Sequence, residues 1–215
     1  MIILDIEVKN LFEEFNIVAN SAQFIAIFTR DIELQKKEVQ LIDLYVKKLD
    51  DLLIKNGLIE DELNLIAFLK YSIDSVKLEI QMIVLLKENK IDLAWTALIQ
   101  AQSLISIAIS NHPFDANQLI NYHNRLNEYE KLLFPQIMFA SVGGIIRETR
   151  CSICELEYEE CDHMKGKFYS GKLCVREICK MDLEEVSMVE NPASKMNRQL
   201  KVMYKGKNVD IFTLK

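Results

Sequence analysis

The sequence predicts an α+β protein. An antiparallel helical bundle over residues 1–142 is followed by a small zinc-stabilised β-rich module with a basic tail over 143–215. Three observations carry this reading. The first 142 residues hold one glycine, Gly57, and two prolines, Pro113 and Pro135, whereas the rest hold five glycines and one proline. Either residue costs on the order of 1–3 kcal/mol inside a helix, so their scarcity permits long helices. The apolar spacing then shifts from a period near 3.6 to one near 2. Finally, Cys151, Cys154, Cys161 and His163 place four zinc-type donors within thirteen residues.

Residues 5–30 are read as one or two helices. Ile42, Tyr45, Val46, Leu49, Leu52 and Leu53 then follow the i, i+3, i+4, i+7 spacing of an amphipathic helix, with Asn56-Gly57 as its left-handed cap. Ile66, Leu69, Ile73, Val76, Ile80 and Ile83 mark a second such helix from about Glu60 to Glu88. The stretch Ile91–Ser110 is apolar on nearly every face and is expected to be the central, most buried helix, anchored by Trp95. Asn111-His112-Pro113 stops it. Asp115 is expected to cap a last helix through Leu119, Tyr122, Leu126, Tyr129 and Leu133, ended by Phe134-Pro135. Short connections between these helices imply antiparallel neighbours and an up-and-down bundle. The division falls at Ser141-Val142-Gly143-Gly144. Beyond it, residues 172–179 and 184–189 alternate like strands, and 199–204 is expected to pair with 208–213 across Lys205-Gly206-Lys207.

Composition removes several function classes. Half of the 215 residues are hydrophobic, which excludes general disorder. A formal charge of −6 excludes a chain-wide footprint for nucleic acid. The balance is uneven: residues 1–142 carry 13 basic against 20 acidic side chains, net −7, and residues 143–215 carry 13 against 12, net +1. Ile91–Ile109 has about the length of a membrane span, but Asp92, Gln100 and Gln102 within it favour a core helix, so no membrane is expected. The opening residues include Asp5 and Glu7 with no basic run before an apolar one, so no secretory leader is expected. Five cysteines beside a histidine then read as metal ligands in a reducing, cytoplasmic setting.

Zinc takes about four thiolate, imidazole or carboxylate donors in tetrahedral array. The Cys151-x-x-Cys154 turn supplies two, and Cys161 and His163, on one side of an extended segment, supply two more. Cys174 is the alternative ligand, because Gly166 and Gly171 allow the chain to fold back to it; Cys179 is read as an apolar strand residue. A full Cys3His set leaves no open position, which marks a structural site. Glu159, Glu160 and Asp162 are read as a solvated acidic rim, and His112 and His123 as structural residues. Ser187 has no histidine near it in sequence, and no phosphate-cradling glycine loop or Gly-x-Ser-x-Gly elbow occurs.

The segment from Cys151 to Ala193 reads Cys-x2-Cys, Tyr158-x2-Cys161-x-His163, Gly166, Tyr169-x-Gly171-x2-Cys174, then Glu185-x-Ser187-x-Val189-x2-Pro192-Ala193. It resembles a C-terminal segment of some tailed-phage prohead maturation proteases and of bacterial proteins of unknown role. Leu133-Phe134-Pro135-Gln136 and Phe139-x-Ser141 resemble the approach to it. The resemblance implies a zinc-stabilised β-module and a setting among phage or phage-facing genes. In those proteases the Glu-x-Ser strand belongs to a catalytic β-fold whose histidine and nucleophilic serine lie upstream; here the upstream region reads as helices.

The expected function is therefore that of a non-enzymatic zinc-binding accessory protein that works through a protein partner, in a phage-related or antiphage complex. One alternative is nucleic-acid binding through Arg198, Lys201, Lys205 and Lys207. The other is a degenerate or active prohead-protease-like peptidase, with Glu185 and Ser187 as the residues to test.

Overall fold

The computed structural model describes residues 6–113, 115–134 and 138–211. Among these the chain is α+β: five α-helices come first and antiparallel strand pairs follow.

The N-terminal segment forms one helix, α1 (Ile6–Phe28), and α2 (Ile32–Leu53) follows after a short turn. Asp31 opens α2, its carboxylate accepting the N–H groups of Glu33 (2.8 Å) and Leu34 (3.2 Å). This is the cap an aspartate offers a helix start. It places the start well before Ile42, where the apolar spacing first becomes clear. Gly57 does take a left-handed φ of +102°, but in the loop beyond Leu53 rather than as the cap. The third helix, α3, spans Glu60–Lys87, and the Glu62 carboxylate accepts the N–H of Ile59 at its start (3.1 Å). The fourth, α4, spans Ile91–Asn111, and α5 spans Asn117–Leu133. Asp115 accepts the N–H of Asn117 (3.0 Å) from one residue before the cap position. Pro135, expected to stop α5, lies outside the described residues.

The hub of the bundle is α3, which touches α1, α2 and α4. Its stretch Leu65–Leu69 is buried at every position, so it faces neighbours all round. The central place expected of α4 thus belongs to α3, while α4 packs between α3 and α5. By length and composition α4 could cross a membrane, but half of its apolar window is buried inside this bundle. A buried ion pair, Arg125 Nη2 to Glu79 Oε2 at 2.9 Å, ties α5 to α3. Trp95 anchors α4 as expected: its Nε1–H donates to the Lys195 carbonyl (3.1 Å), and its ring meets Phe134 edge-on at 5.2 Å and Phe139 at 6.0 Å.

The longest β element is a two-stranded antiparallel ribbon of β1 (Phe139–Cys151) and β4 (Arg176–Val189). Gly143 and Gly144, read from the sequence as a boundary, lie inside β1. The reason is steric: a Cβ on Gly144 would stand 2.3 Å from the Asp182 carbonyl oxygen, and one on Gly143 would stand 2.8 Å from the Glu185 side chain. The register shifts between these two glycines, and again on each side of Glu148. Strand β4 joins the latter half of one expected strand to the whole of another. Between the ribbon's strands lie a 3-10 turn (Tyr158–Glu160) and a small hairpin of β2 (Phe168–Tyr169) and β3 (Lys172–Leu173).

The last hairpin pairs β5 (Lys201–Tyr204) with β6 (Lys207–Asp210). Lys205 and Gly206 turn it with φ of +48° and +76°, as a two-residue hairpin loop requires. Residues 212 and 213, expected in that strand, lie outside the described residues. Phe139 and Phe168 belong to the same hydrophobic core as the helices, so the β-rich part is packed onto the bundle rather than strung from it.

Candidate metal centre

Strand β1 delivers Cys151 as its last residue. The chain then turns tightly: the Cys151 carbonyl accepts the N–H of Glu155 (2.9 Å), and Glu155 takes a left-handed φ of +62°. This turn brings Cys154 beside Cys151 and aims the Ile153 N–H at the Cys151 sulfur (3.4 Å). The 3-10 turn follows, and Cys161 leaves it in extended conformation, so that Cys161 and His163 project to one side. The donor atoms of Cys151, Cys154, Cys161 and His163 lie within 4.8 Å of one another. Cys151 is buried and the other three are half-buried.

Cys174, the sequence alternative, is fully buried, with its sulfur 3.8 Å from that of Cys151. Sulfurs bound to one zinc at about 2.3 Å stand roughly 3.8 Å apart at the corners of a tetrahedron. Gly166 and Gly171 take φ of +85° and +77° and fold the chain back to reach it. The return is fixed by Gly166 N–H to the Cys174 carbonyl and Cys174 N–H to the Lys167 carbonyl, both 2.8 Å. Four donors therefore form the cluster, the number a tetrahedral ion takes, and the Cys174 sulfur borders it on the Cys151 side.

The electrostatics point the same way. Burial pushes the Cys151 thiol up, but the N–H groups of Cys154 and Ile153 and the thiols of Cys161 and Cys154 outweigh it, bringing it down to about 6. Burial raises Cys161, and burial together with the neighbouring sulfurs raises Cys174 to about 11. One thiolate thus makes the next harder to form. A dication removes that conflict by favouring every thiolate at once. The Nδ1 atom of His163 is buried without a hydrogen-bond partner, and its ring meets Tyr169 edge-on at 4.5 Å. Thiols together with an imidazole carrying an orphaned nitrogen form a donor set that fits zinc.

The surroundings hold the cluster against the bundle. The Asn111 side chain at the end of α4 donates to the Gly166 carbonyl (2.7 Å) and accepts the Phe168 N–H (3.0 Å). Asn64 of α3 accepts the Gly171 N–H (2.8 Å). Phe168 is buried against Tyr71 at 5.1 Å. Glu159, read as part of an acidic rim, is a tie instead: it accepts the Thr149 hydroxyl (2.9 Å) and pairs with Arg176. The Thr149 hydrogen bond, a backbone N–H and Arg176 hold its carboxyl below the usual range. The sequence marked Asn111 only as a helix stop and gave no signal for Asn64. Their roles depend on partners 55 and 107 residues away.

The other predicted site residues do not converge. Arg198 is turned inward and pairs with Asp92 of α4, its side chain 4% exposed. Lys201, Lys205 and Lys207 remain exposed on the β5–β6 hairpin, Lys205 over the Tyr204 ring at 5.2 Å. Arg198 is therefore engaged at the bundle and does not join them in a phosphate-facing patch. On the ribbon, Glu185 lies opposite Gly143 and Ser187 opposite Ser141. Neither β1 nor β4 contains a histidine. Cys179 lies on β4 as expected, but at a register shift and exposed to solvent.

Compared with protein-family models, curated proteins and solved structures, the chain matches none. The reading of the site therefore rests on its own geometry.

Proposed function

We propose that this is a non-enzymatic zinc-binding accessory protein that works through protein–protein contacts. The observation that carries it is the closed donor cluster. Three thiols and an imidazole lie within 4.8 Å of one another and a fifth sulfur stands 3.8 Å from Cys151; a zinc held by all four donors would keep no position for a reactive water. Among the carboxylates near it in sequence, Glu159 is engaged by Thr149 and Arg176. The zinc acts as a staple for the segment between β1 and β4, and that segment grips the ends of α3 and α4. The resemblance of Cys151–Ala193 to the prohead-protease segment supports a phage-related or antiphage complex as the setting, with the peptidase chemistry lost.

The test is metal content and coordination on the purified full chain. Elemental analysis should give one zinc per chain, and X-ray absorption a four-coordinate shell of sulfur and nitrogen. Cys154→Ser should lose the metal and the fold of the segment together. A bound water in the zinc shell, hydrolysis that depends on Glu185 or Ser187, or a Cys154→Ser protein that keeps its fold without metal would each overturn the proposal.

A further inference from the structure

Helices α1 and α2 carry a second feature that the metal centre does not use. Ile17, Phe24 and Phe28 recur at i, i+7 and i+11 on α1, and Leu34, Leu41 and Leu44 at i, i+7 and i+10 on α2. Each set makes one stripe of its helix. All six side chains are between 47% and 72% exposed, although each stripe has the size and character of a core face.

The two stripes border one groove. Glu14 and Lys48 meet across it in a salt bridge of 2.5 Å. Glu14 continues the α1 stripe by one turn, and Lys48 continues the α2 stripe. The antiparallel pairing is pinned by the Tyr45 hydroxyl to the Leu11 carbonyl (2.8 Å) and the Gln35 amide to the Thr29 carbonyl (3.1 Å). In that register Ile17 comes level with Leu44 and Phe28 with Leu34. Phe24 and Phe28 also pack on each other, their centroids 5.2 Å apart.

We infer that this face is covered by a second copy of the chain, two helical hairpins closing into a four-helix bundle. Three observations favour a copy over an unlike partner. The first is area: six exposed side chains of this size present on the order of 700 Å² of mostly apolar surface, more than the largest patch of a typical monomer. Doubled by two-fold symmetry, this reaches about 1,400 Å², within the range of stable interfaces. The second is shape: α1 and α2 have 23 and 22 residues, so two hairpins match end to end. The third is charge. A two-fold axis parallel to the helices sets α1 of one copy against α2 of the other at the same height. Glu13 of one copy then comes opposite Lys47 of the other, beside the Glu14–Lys48 pair that each copy already makes. The interface supplies one partner for the accessory role and does not involve the zinc ligands, so either reading can fail alone.

The experiment is sedimentation velocity on the full zinc-loaded chain over a range of concentrations. The wild type should sediment near twice the 25.0 kDa chain mass. Phe24→Glu with Leu41→Glu should weaken association at least about 100-fold, because both substitutions bury charge at the centre of the interface. Helix content and zinc content should stay unchanged. If that variant loses helix content, Ile17→Ser with Leu44→Ser serves in its place, and its dimer should weaken in the same direction. A monomeric wild type overturns the inference. So does a dimer that survives these substitutions, or one that dissociates instead on Leu183→Glu with Val186→Glu in the ribbon.

Discussion

The fifth sulfur permits a sharp test of the metal centre. In the proposed shell three thiolates and His163 bind the ion, and Cys174 stands by at a tetrahedral edge distance, 3.8 Å from Cys151. The perturbation is His163→Ala. Structural zinc is held by roughly 10–16 kcal/mol, or about 3–4 kcal/mol per ligand, so an uncompensated loss should weaken binding about 100- to 1,000-fold. Cys174 is already at contact distance and the backbone holding it is hydrogen-bonded on both sides. It should enter the shell, limiting the loss to about tenfold, the low end of what disturbing an outer partner costs. Cobalt substitution reads the exchange directly, because sulfur-to-metal charge-transfer absorption scales with the number of bound thiolates. The band should rise by about one third on His163→Ala as three thiolates become four. The double variant His163→Ala with Cys174→Ala should then lose the full 100-fold or more. A band unchanged in the single variant would show that Cys174 does not exchange with His163. Undiminished affinity in the double variant would refute the shell itself.

Three further outcomes follow from the packing. Phe168→Ala removes a buried ring wedged against Tyr71 and should cost about 3–5 kcal/mol in denaturant unfolding. Zinc content should stay intact, because docking and coordination use different atoms; loss of the metal would contradict this. Gly144→Ala drives a Cβ towards the Asp182 carbonyl and should cost about 1–3 kcal/mol, visible as faster hydrogen exchange along the ribbon but not in α3. Burial, with Lys195 nearby, lowers the pKa of His123, so the folded state resists its protonation. Stability from this group is present above the unfolded histidine pKa and is lost as pH falls through it. The thermal midpoint should therefore drop from pH 7.5 to 5.5 less steeply in His123→Gln than in wild type; equal slopes would count against the assignment.

The helices were legible because their signals are local. Ile66, Leu69, Ile73 and Val76 sit on one face whatever the rest of the chain does, and the scarcity of glycine left nothing to interrupt them. The four candidate ligands were legible for the same reason, being a turn and a short extended segment. The strands were harder, because their alternation is broken where the register shifts. Passing from Gly143–Glu185 to Gly144–Leu183 inserts Glu184 into β4, so the period of two slips and one strand reads as two. The same glycines, needed for close approach, look like a linker when no partner strand is in view. Least legible were contacts such as Asp92 with Arg198 and Asn64 with Gly171, which join side chains over a hundred residues apart. Such pairings are set by the packed bundle and leave no periodic trace. The lysine and arginine positions in the tail were visible, but not that one of them faces inward.

The β1–β4 ribbon behaves as a strap with two fastenings. Near Phe139 it is buckled to Trp95 at the start of α4, and beyond Cys151 it is buckled through the segment that carries the donor cluster to Asn111 at the end of the same helix. Thirteen residues of strand give a contour of roughly 43 Å, whereas Trp95 to Asn111 rises only about 24 Å along the helix axis. The strap is therefore longer than the α4 span between its two fastenings, and β4 is exposed over most of its length. One buckle is hydrophobic; the other adjoins the candidate metal centre. Without an ion, that second fastening would rest on the hydrogen bonds of Asn111 and Asn64 and the packing of Phe168 on Tyr71, while Leu183 and Val186 stay exposed on the ribbon either way.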